Sequence, residues 1–388
     1  MNTKYLIIGG GPCGDAAVKS IREYDKEGDI TLITNEEVGP YRRMSLTKQI
    51  WITNDINSIS LKTQRHNINL ITNNAVVNIK PEDKLVTCAN GDTYSYEKLL
   101  IATGINPRKL PCENIIYYRN IKDYEILRNK IDHKENVLII GCGFTGLELA
   151  SELKKLGKNI KMIFLEDYTV DRFVPLEFSI KIMNAFRENG IELINSDTVE
   201  NITEIDDSYK ITTRNGQKFD TDCIIASVGN LPAIDFLKDS NIEISNGIKV
   251  DKYCQTNIKD IYSAGDVAEF PSELFNTNMR REFMDNAVKM GKVAGANMCG
   301  QNIEYNPILS TFFDAFSVSY NACGEYSCQM RMSFKNLNDE EYIIFYRKEN
   351  TLQGIMFWKT KPNIQAANKI ISEKLTLSDE EYINMLGK

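Results

Sequence analysis

Residues 6–14 read LIIGGGPCG and residues 138–146 read LIIGCGFTG. Each is an aliphatic run followed at once by G-x-G-x-x-G: Gly9, Gly11 and Gly14 in the first copy, Gly141, Gly143 and Gly146 in the second. The chemistry that wants this spacing is the holding of a dinucleotide pyrophosphate. The first glycine makes the tight turn, the second lets backbone approach the pyrophosphate, and the third lets helix and strand pack closely. The anion then rests on the positive N-terminus of the helix, and an acid about 20 residues on accepts hydrogen bonds from the adenosine ribose. Glu36 follows Gly14 by 22 residues and Glu166 follows Gly146 by 20. Glu37 and Asp167 are the competing acids. A lone loop of this kind is weak evidence, whereas two copies, each leading from strand to helix to strand to acid, are strong.

The elements that must position these groups are legible around them. A helical pattern follows each loop, with Ala16, Ala17, Val18 and Ile21 in the first copy. Leu147, Ala150, Leu153 and Leu156 mark one face of the second. An apolar strand comes next, at 30–33 and again at 160–165, each ending in an acid.

Composition sets the frame. The chain has 388 residues, 42% hydrophobic and 26% charged, with a net charge of −7. These values describe a multidomain globular protein and give no sign of nucleic-acid binding. No apolar run approaches the roughly 18 residues of a membrane span. With no leader-like start at residue 1, a cytoplasmic location is expected. Nine cysteines are scattered without a CxxC pair, and only His66 and His133 are histidines. Neither a secreted disulfide framework nor a metal site is therefore expected.

Two nucleotide modules in one chain suggest FAD together with a nicotinamide donor. Three further segments point the same way: Ala102-Thr103-Gly104 after a strand at 98–101, TNIKDIYSAGD at 256–266, read as a strand ending in Gly265-Asp266, and PYRRMSLTK at 40–48, read as a loop after the first ribose acid. With the two loops they resemble the pyridine-nucleotide-dependent flavoprotein reductases of the glutathione-reductase superfamily, across essentially the whole chain. The nearer likeness is to oxygenase-coupled ferredoxin reductases and apoptosis-inducing factor, through 40–48, REFMDNA at 281–287, and LQGIMFW at 352–358 followed by a helix at 366–371.

The resemblance implies an α/β fold with two Rossmann-like, three-layer dinucleotide-binding domains and a small α+β C-terminal domain. The FAD domain would comprise 1–112 and 231–302, the NAD(P)H domain 113–230, and the C-terminal domain 303–388. The last would hold strands at 342–346 and 352–358 and a final helix opened by a capping box at 378–381. Gly9, Gly11, Gly14, Glu36, Ala102, Thr103, Gly104 and Gly265 would line FAD, Asp266 would bind its ribityl chain and Arg43 a pyrophosphate oxygen. Arg119 resembles a further FAD-contacting arginine, although a surface position is the plain alternative for both arginines. Gly141, Gly143, Phe144, Gly146 and Glu166 would hold NADH, with Glu282 beside the nicotinamide carboxamide. Lys48 would touch flavin N5 and Glu148, placed in the first turn of its helix, would meet that lysine. The plain alternative for this pair is a solvated lysine and an acid favoured by the helix dipole.

The same comparison marks departures. Met44 and Ser45 stand where proline is usual, Lys259 replaces a proline before Asp260, and Met284 and Phe313 occupy positions where the relatives carry Trp or His. Segment 41–48, YRRMSLTK, contains none of the cysteines used by disulfide, peroxide or oxygen reductases of the superfamily. The expected activity is a thiol-independent transfer from NADH (NADPH less so) through flavin to a small electron-transfer protein, ferredoxin or rubredoxin. A quinone or nitrite-type small-molecule reductase and an apoptosis-inducing-factor-like NADH-responsive sensor are the alternatives, and a homodimer is compatible with each.

Overall fold

The computed structural model describes all 388 residues, which divide into two compact units. The first comprises 1–45, 53–106 and 230–307, the second 46–52, 107–229 and 308–388. The segments expected as the nicotinamide and C-terminal domains thus lie together in the second unit.

The first unit is built on a sheet whose centre is parallel. Its strands are β1 (Asn2–Ile8), β2 (Ile30–Ile33), β3 (Asn69–Ile71), β4 (Val76–Lys80), β5 (Leu85–Cys88) and β6 (Thr93–Ile101), in the order β3-β2-β1-β6-β5-β4. β1 pairs in parallel with β2 and β6, and Ile261–Ser263 adds in parallel to the far end of β6. Strands in the middle of such a sheet are covered on both faces, so they read as continuous apolar runs rather than alternating ones. Leu6, Ile8, Ile33, Leu99, Ile101 and Ile261 form one such core. Over the sheet lie helix α1 (Pro12–Tyr24) and the helix Met284–Met298. They close tightly because a Cβ on Gly291 would stand 2.4 Å from the Cys13 carbonyl oxygen.

The second unit contains a four-stranded parallel sheet in the order Glu192–Ile194, Asn159–Ile163, Asn136–Ile140, Cys223–Ala226. An antiparallel meander of Val199–Ile205, Ser208–Thr213 and Lys218–Thr221 accompanies it. A five-stranded antiparallel sheet follows, ordered Ser310–Ala315, Val318–Gly324, Thr351–Trp358, Tyr342–Lys348, Arg331–Asn336. The helix Asp379–Leu386 opens on a reciprocal capping box between Ser378 and Glu381, as its sequence predicts.

Local expectations are adjusted in four places. The strand expected at 160–165 ends at Ile163, and Leu165 is exposed in the turn beyond it. Only Ile261–Ser263 of 256–266 is strand; Gly265–Val267 forms a tight 3-10 turn. Segment 40–48 is a 3-10 helix over Arg43–Thr47 rather than an open loop. Glu148 is the fifth residue of the helix Phe144–Lys155, beyond the first turn, so the dipole does not account for its position. No helix is long and apolar enough to cross a membrane.

Candidate functional site

In the first unit the glycines of the first loop differ from one another in what surrounds them. Gly9 has φ +125°, and a Cβ there would stand 2.1 Å from the Ala102 carbonyl oxygen. A Cβ on Gly14 would stand 2.2 Å from the Gly9 carbonyl oxygen, where helix meets strand. A Cβ on Gly11 would meet nothing within 4 Å, and Gly11 opens α1 with no side-chain cap on the helix N–H groups. Turn, opening and close packing are therefore divided among the three as pyrophosphate binding requires.

Of the other residues expected to hold FAD, Glu36, Arg43, Ala102, Thr103, Gly104, Gly265 and Asp266 share this unit, whereas Lys48 and Arg119 belong to the second. Ala102 borders Gly9, Thr103 donates its hydroxyl to the Ala233 carbonyl at 2.8 Å, and Gly104 adopts φ +70°. Gly265, at φ +80°, lies against Cys13, so the Asp266 turn meets the start of α1. Burial pushes the Cys13 thiol well up, with Asp266 adding to it, which suits packing and not nucleophilic chemistry. Glu36 accepts from the Arg43 guanidinium at 2.5 Å and from the Tyr41 hydroxyl at 2.6 Å, and Arg43 also donates to Tyr41 at 2.7 Å. Tyr41 belongs to the PYRRMSLTK segment, but its partnership with Glu36 depends on the 3-10 turn that returns Arg43 to that acid. Glu282 accepts from Asn230 at 2.8 Å and from Arg280 at 2.8 Å.

The second unit repeats the mould. Gly141 has φ +103° with the Ser227 carbonyl oxygen 2.2 Å from a built Cβ, a Cβ on Gly146 would stand 3.0 Å from the Gly141 oxygen, and one on Gly143 would meet open space. Gly143 precedes Phe144–Lys155 with no side-chain cap. Phe144 packs against Phe173, Phe313 and Tyr320 at centroid distances of 5.5, 5.9 and 6.4 Å. Phe313 is thus buried inside this unit's aromatic cluster.

Of the two acids after the second loop, Asp167 is engaged locally. Its carboxylate accepts from Ser196 at 2.5 Å and its carbonyl from Asn195 at 3.1 Å. Glu166 instead faces the loop, accepting a weak 3.7 Å bond from the Cys142 thiol. Burial, with Glu166 beside it, pushes that thiol up to about 12. Arg172 approaches Glu166 to 3.7 Å with its side chain largely exposed. The chain reaches it through Val170, which holds the uncommon φ of +48°. Arg119 precedes the helix Ile121–Ile131, its backbone N–H donating to Asp123 at 2.8 Å.

Lys48 and Glu148 form an ion pair at 2.9 Å in the same unit. The Thr47 hydroxyl donates to the other Glu148 oxygen at 2.6 Å, and the Lys48 ammonium lies 5.0 Å from the centre of the Phe312 ring. Burial raises the Glu148 carboxyl above its ordinary range, opposed by Lys48 and Thr47. All nine cysteines are unpaired thiols.

A family model described as pyridine nucleotide-disulphide oxidoreductase matches residues 3–291. The chain is 31% identical to the NADH-rubredoxin oxidoreductase of Clostridium acetobutylicum over 91% of its own length and 90% of the relative's. It is 29% identical to the rubredoxin-NAD(+) reductase of Pseudomonas putida, covering 76% and 80%. Among solved structures, a ferredoxin reductase from Rhodopseudomonas palustris superposes with a TM-score of 0.91 at 25% identity, covering 98% of this chain and 97% of that one.

Proposed function

Since this chain belongs to the pyridine nucleotide-disulphide oxidoreductase family and is an NAD(P)H-dependent flavin oxidoreductase, we propose that it takes reducing equivalents from NADH and delivers them to a rubredoxin- or ferredoxin-type protein. FAD, when bound, accepts a hydride and releases single electrons, the conversion that such an acceptor requires. The observation that carries the choice of acceptor is the similarity, over nine-tenths of both chains, to an enzyme named for rubredoxin.

Residues of the first unit support the binding half of this reading. The Gly9–Gly14 loop would take the FAD pyrophosphate, Glu36 its ribose, and Asp266 its ribityl chain, with Arg43 and the 102–104 turn alongside. Arg119 is proposed as a further FAD contact. In the second unit the Gly141–Gly146 loop would take the NADH pyrophosphate and Glu166 its adenosine ribose, while Phe144 shapes the floor of the loop. Glu282 would accept from the nicotinamide carboxamide. Lys48, oriented by Glu148, would supply a fixed cation at the reacting flavin nitrogen. A division into FAD, nicotinamide and C-terminal domains is the functional reading of these groups.

The test is NADH-driven reduction of purified rubredoxin, a [2Fe–2S] ferredoxin and a soluble quinone by the FAD-loaded protein. Fast reduction of one iron protein with slow quinone turnover is expected. Preference for the quinone would overturn the proposal, and slow reduction of every acceptor after fast flavin bleaching would favour a sensor.

A further inference from the structure

Arg280 is an arginine that no motif marks. It follows the antiparallel hairpin Ala268–Ser272 and Thr277–Met279, in which Phe270 faces Met279. The hairpin starts directly after the Gly265–Val267 turn, so its return strand carries Arg280 back beside Asp266. The side chain is only 11% exposed. Its Nη1 donates to the Asp266 carbonyl at 3.0 Å and to Glu282 Oε1 at 2.8 Å, and Nε reaches toward Asn246 Oδ1 at 3.4 Å. A guanidinium terminal nitrogen carries two protons, so a single nitrogen serves both the Asp266 turn and the Glu282 carboxylate.

The path of the side chain is shaped for this. A Cβ on Gly247 would stand 2.9 Å from Arg280 Cδ and 2.6 Å from the Val267 carbonyl oxygen, so the stem passes where only a glycine leaves room. On the far side of the carboxylate, Asn230 Nδ2 donates to Glu282 Oε2 at 2.8 Å. Each Glu282 oxygen therefore has one donor and keeps one lone-pair direction for a further N–H. Two donors from opposite sides fix the plane of the carboxylate before any ligand arrives, which lowers the ordering cost of recognising a carboxamide.

We propose that Arg280 is a positioning residue that couples the carboxamide acceptor Glu282 to the Asp266 turn on the FAD side. The inference rests on reading Glu282 as that acceptor. A ligand that engages the Asp266 turn steadies Arg280 and thereby Glu282, and the coupling is reciprocal.

The experiment uses the FAD-loaded protein with NAD+ and ADP-ribose, which lacks the nicotinamide, as binding probes. A second readout is the rate of FAD release on dilution. In the wild type NAD+ should bind about tenfold more tightly than ADP-ribose. In Arg280→Gln that ratio should fall to about threefold or less, ADP-ribose affinity should hold, and FAD release should quicken. Asn230→Ala should lower the ratio and leave FAD release unchanged. Arg280→Lys, whose ammonium retains protons for both acceptors, should fall between wild type and Gln, and it becomes the deciding variant if Arg280→Gln does not fold. Quickened FAD release with an unchanged NAD+ to ADP-ribose ratio would overturn the coupling, as would a wild-type pattern in the variants. A wild-type ratio near one would instead overturn the Glu282 reading, and the coupling with it.

Discussion

Lys48 and Glu148 are brought to 2.9 Å from separate parts of the sequence, with Thr47 closing on the second carboxylate oxygen at 2.6 Å. Glu148 is largely buried, so its position answers to this pairing and not to the helix dipole. A preoriented cation at a developing charge is worth about 2–4 kcal/mol. Lys48→Ala and Glu148→Ala should each slow flavin reduction by NADH by roughly 30- to 1,000-fold with FAD retained. The double variant should lose less than the sum, because either change breaks the same contact. Stopped-flow flavin bleaching measures all three rates, and wild-type values would return both residues to a structural role.

Acidification should act on the same pair with opposite signs in rate and in stability. Burial raises the Glu148 carboxyl above its ordinary 4.5, so it takes up its proton at a higher pH than an exposed glutamate does. Protonation removes the negative partner of Lys48, and the flavin-reduction rate should therefore fall on an acid limb above pH 4.5. Between the unfolded and folded pKa values the native state binds more protons than the unfolded one, so this group's contribution to stability declines as pH rises through that window. Glu148→Gln should remove the acid limb and flatten that part of the Tm–pH curve. A limb that persists in Glu148→Gln assigns it to another group.

The middle and last glycines of the first loop should fail differently. Ala at Gly14 drives Cβ to 2.2 Å from the Gly9 oxygen, an overpacking expected to cost about 1–3 kcal/mol and to lower Tm. Gly11 has ordinary backbone angles and open space around it. Gly11→Ala should keep Tm while FAD affinity falls, because the methyl enters the pyrophosphate's approach. Equal FAD affinity in Gly11→Ala and wild type would remove FAD from this loop.

Donor choice should depend on two residues rather than one. As the proposed ribose acceptor, Glu166 would accept from ribose hydroxyls and repel a 2′-phosphate, a discrimination on the order of 1–3 kcal/mol, or roughly tenfold to a hundredfold. Arg172, at 3.7 Å, is placed to attract that phosphate once the acid is gone. NADH should be preferred, Glu166→Ala should raise kcat/KM for NADPH, and Arg172→Ala added to it should erase the gain. Unchanged kcat/KM ratios across the series would move donor selection elsewhere.

No thiol should be needed. The Cys142 thiol is pushed up to about 12 by burial, and Cys88, Cys223 and Cys328 each to about 11. Such thiols are protonated near neutral pH and poorly nucleophilic. A folded variant lacking all nine cysteines should keep NADH-to-dye transfer. Loss of activity with FAD retained, traced to one cysteine, would point to disulfide chemistry.

Much of the fold is legible in the residue string because its demands are local. A glycine that must adopt positive φ beside a neighbouring carbonyl, as Gly9 and Gly141 do, marks its own turn. The strands Ser310–Ala315 and Val318–Gly324 escape such a reading although they largely alternate, because the turn that joins them is made at Phe316, which holds φ +53° with no glycine to mark it. Lys48 and Glu148 are found only through resemblance, since nothing local pairs a 3-10 turn with a helix a hundred residues on. Arg172 escapes as well, because Val170 turns the chain back toward Glu166 past the end of the strand.

Phe144 opens the helix behind the second glycine loop, and its ring lies against Phe313 and Tyr320 of the antiparallel sheet. The Phe173 carbonyl accepts from the Tyr346 hydroxyl of that sheet at 2.8 Å. The boundary that motifs draw near residue 303 is therefore a poor place to cut. A chimera that exchanged the C-terminal segment with a relative's would also replace the wall against which the second loop's helix is seated. Swapping acceptor preference by transplanting that segment calls for carrying Phe144 and Phe173 across with it, because the seam follows the aromatic packing and not the order of the domains.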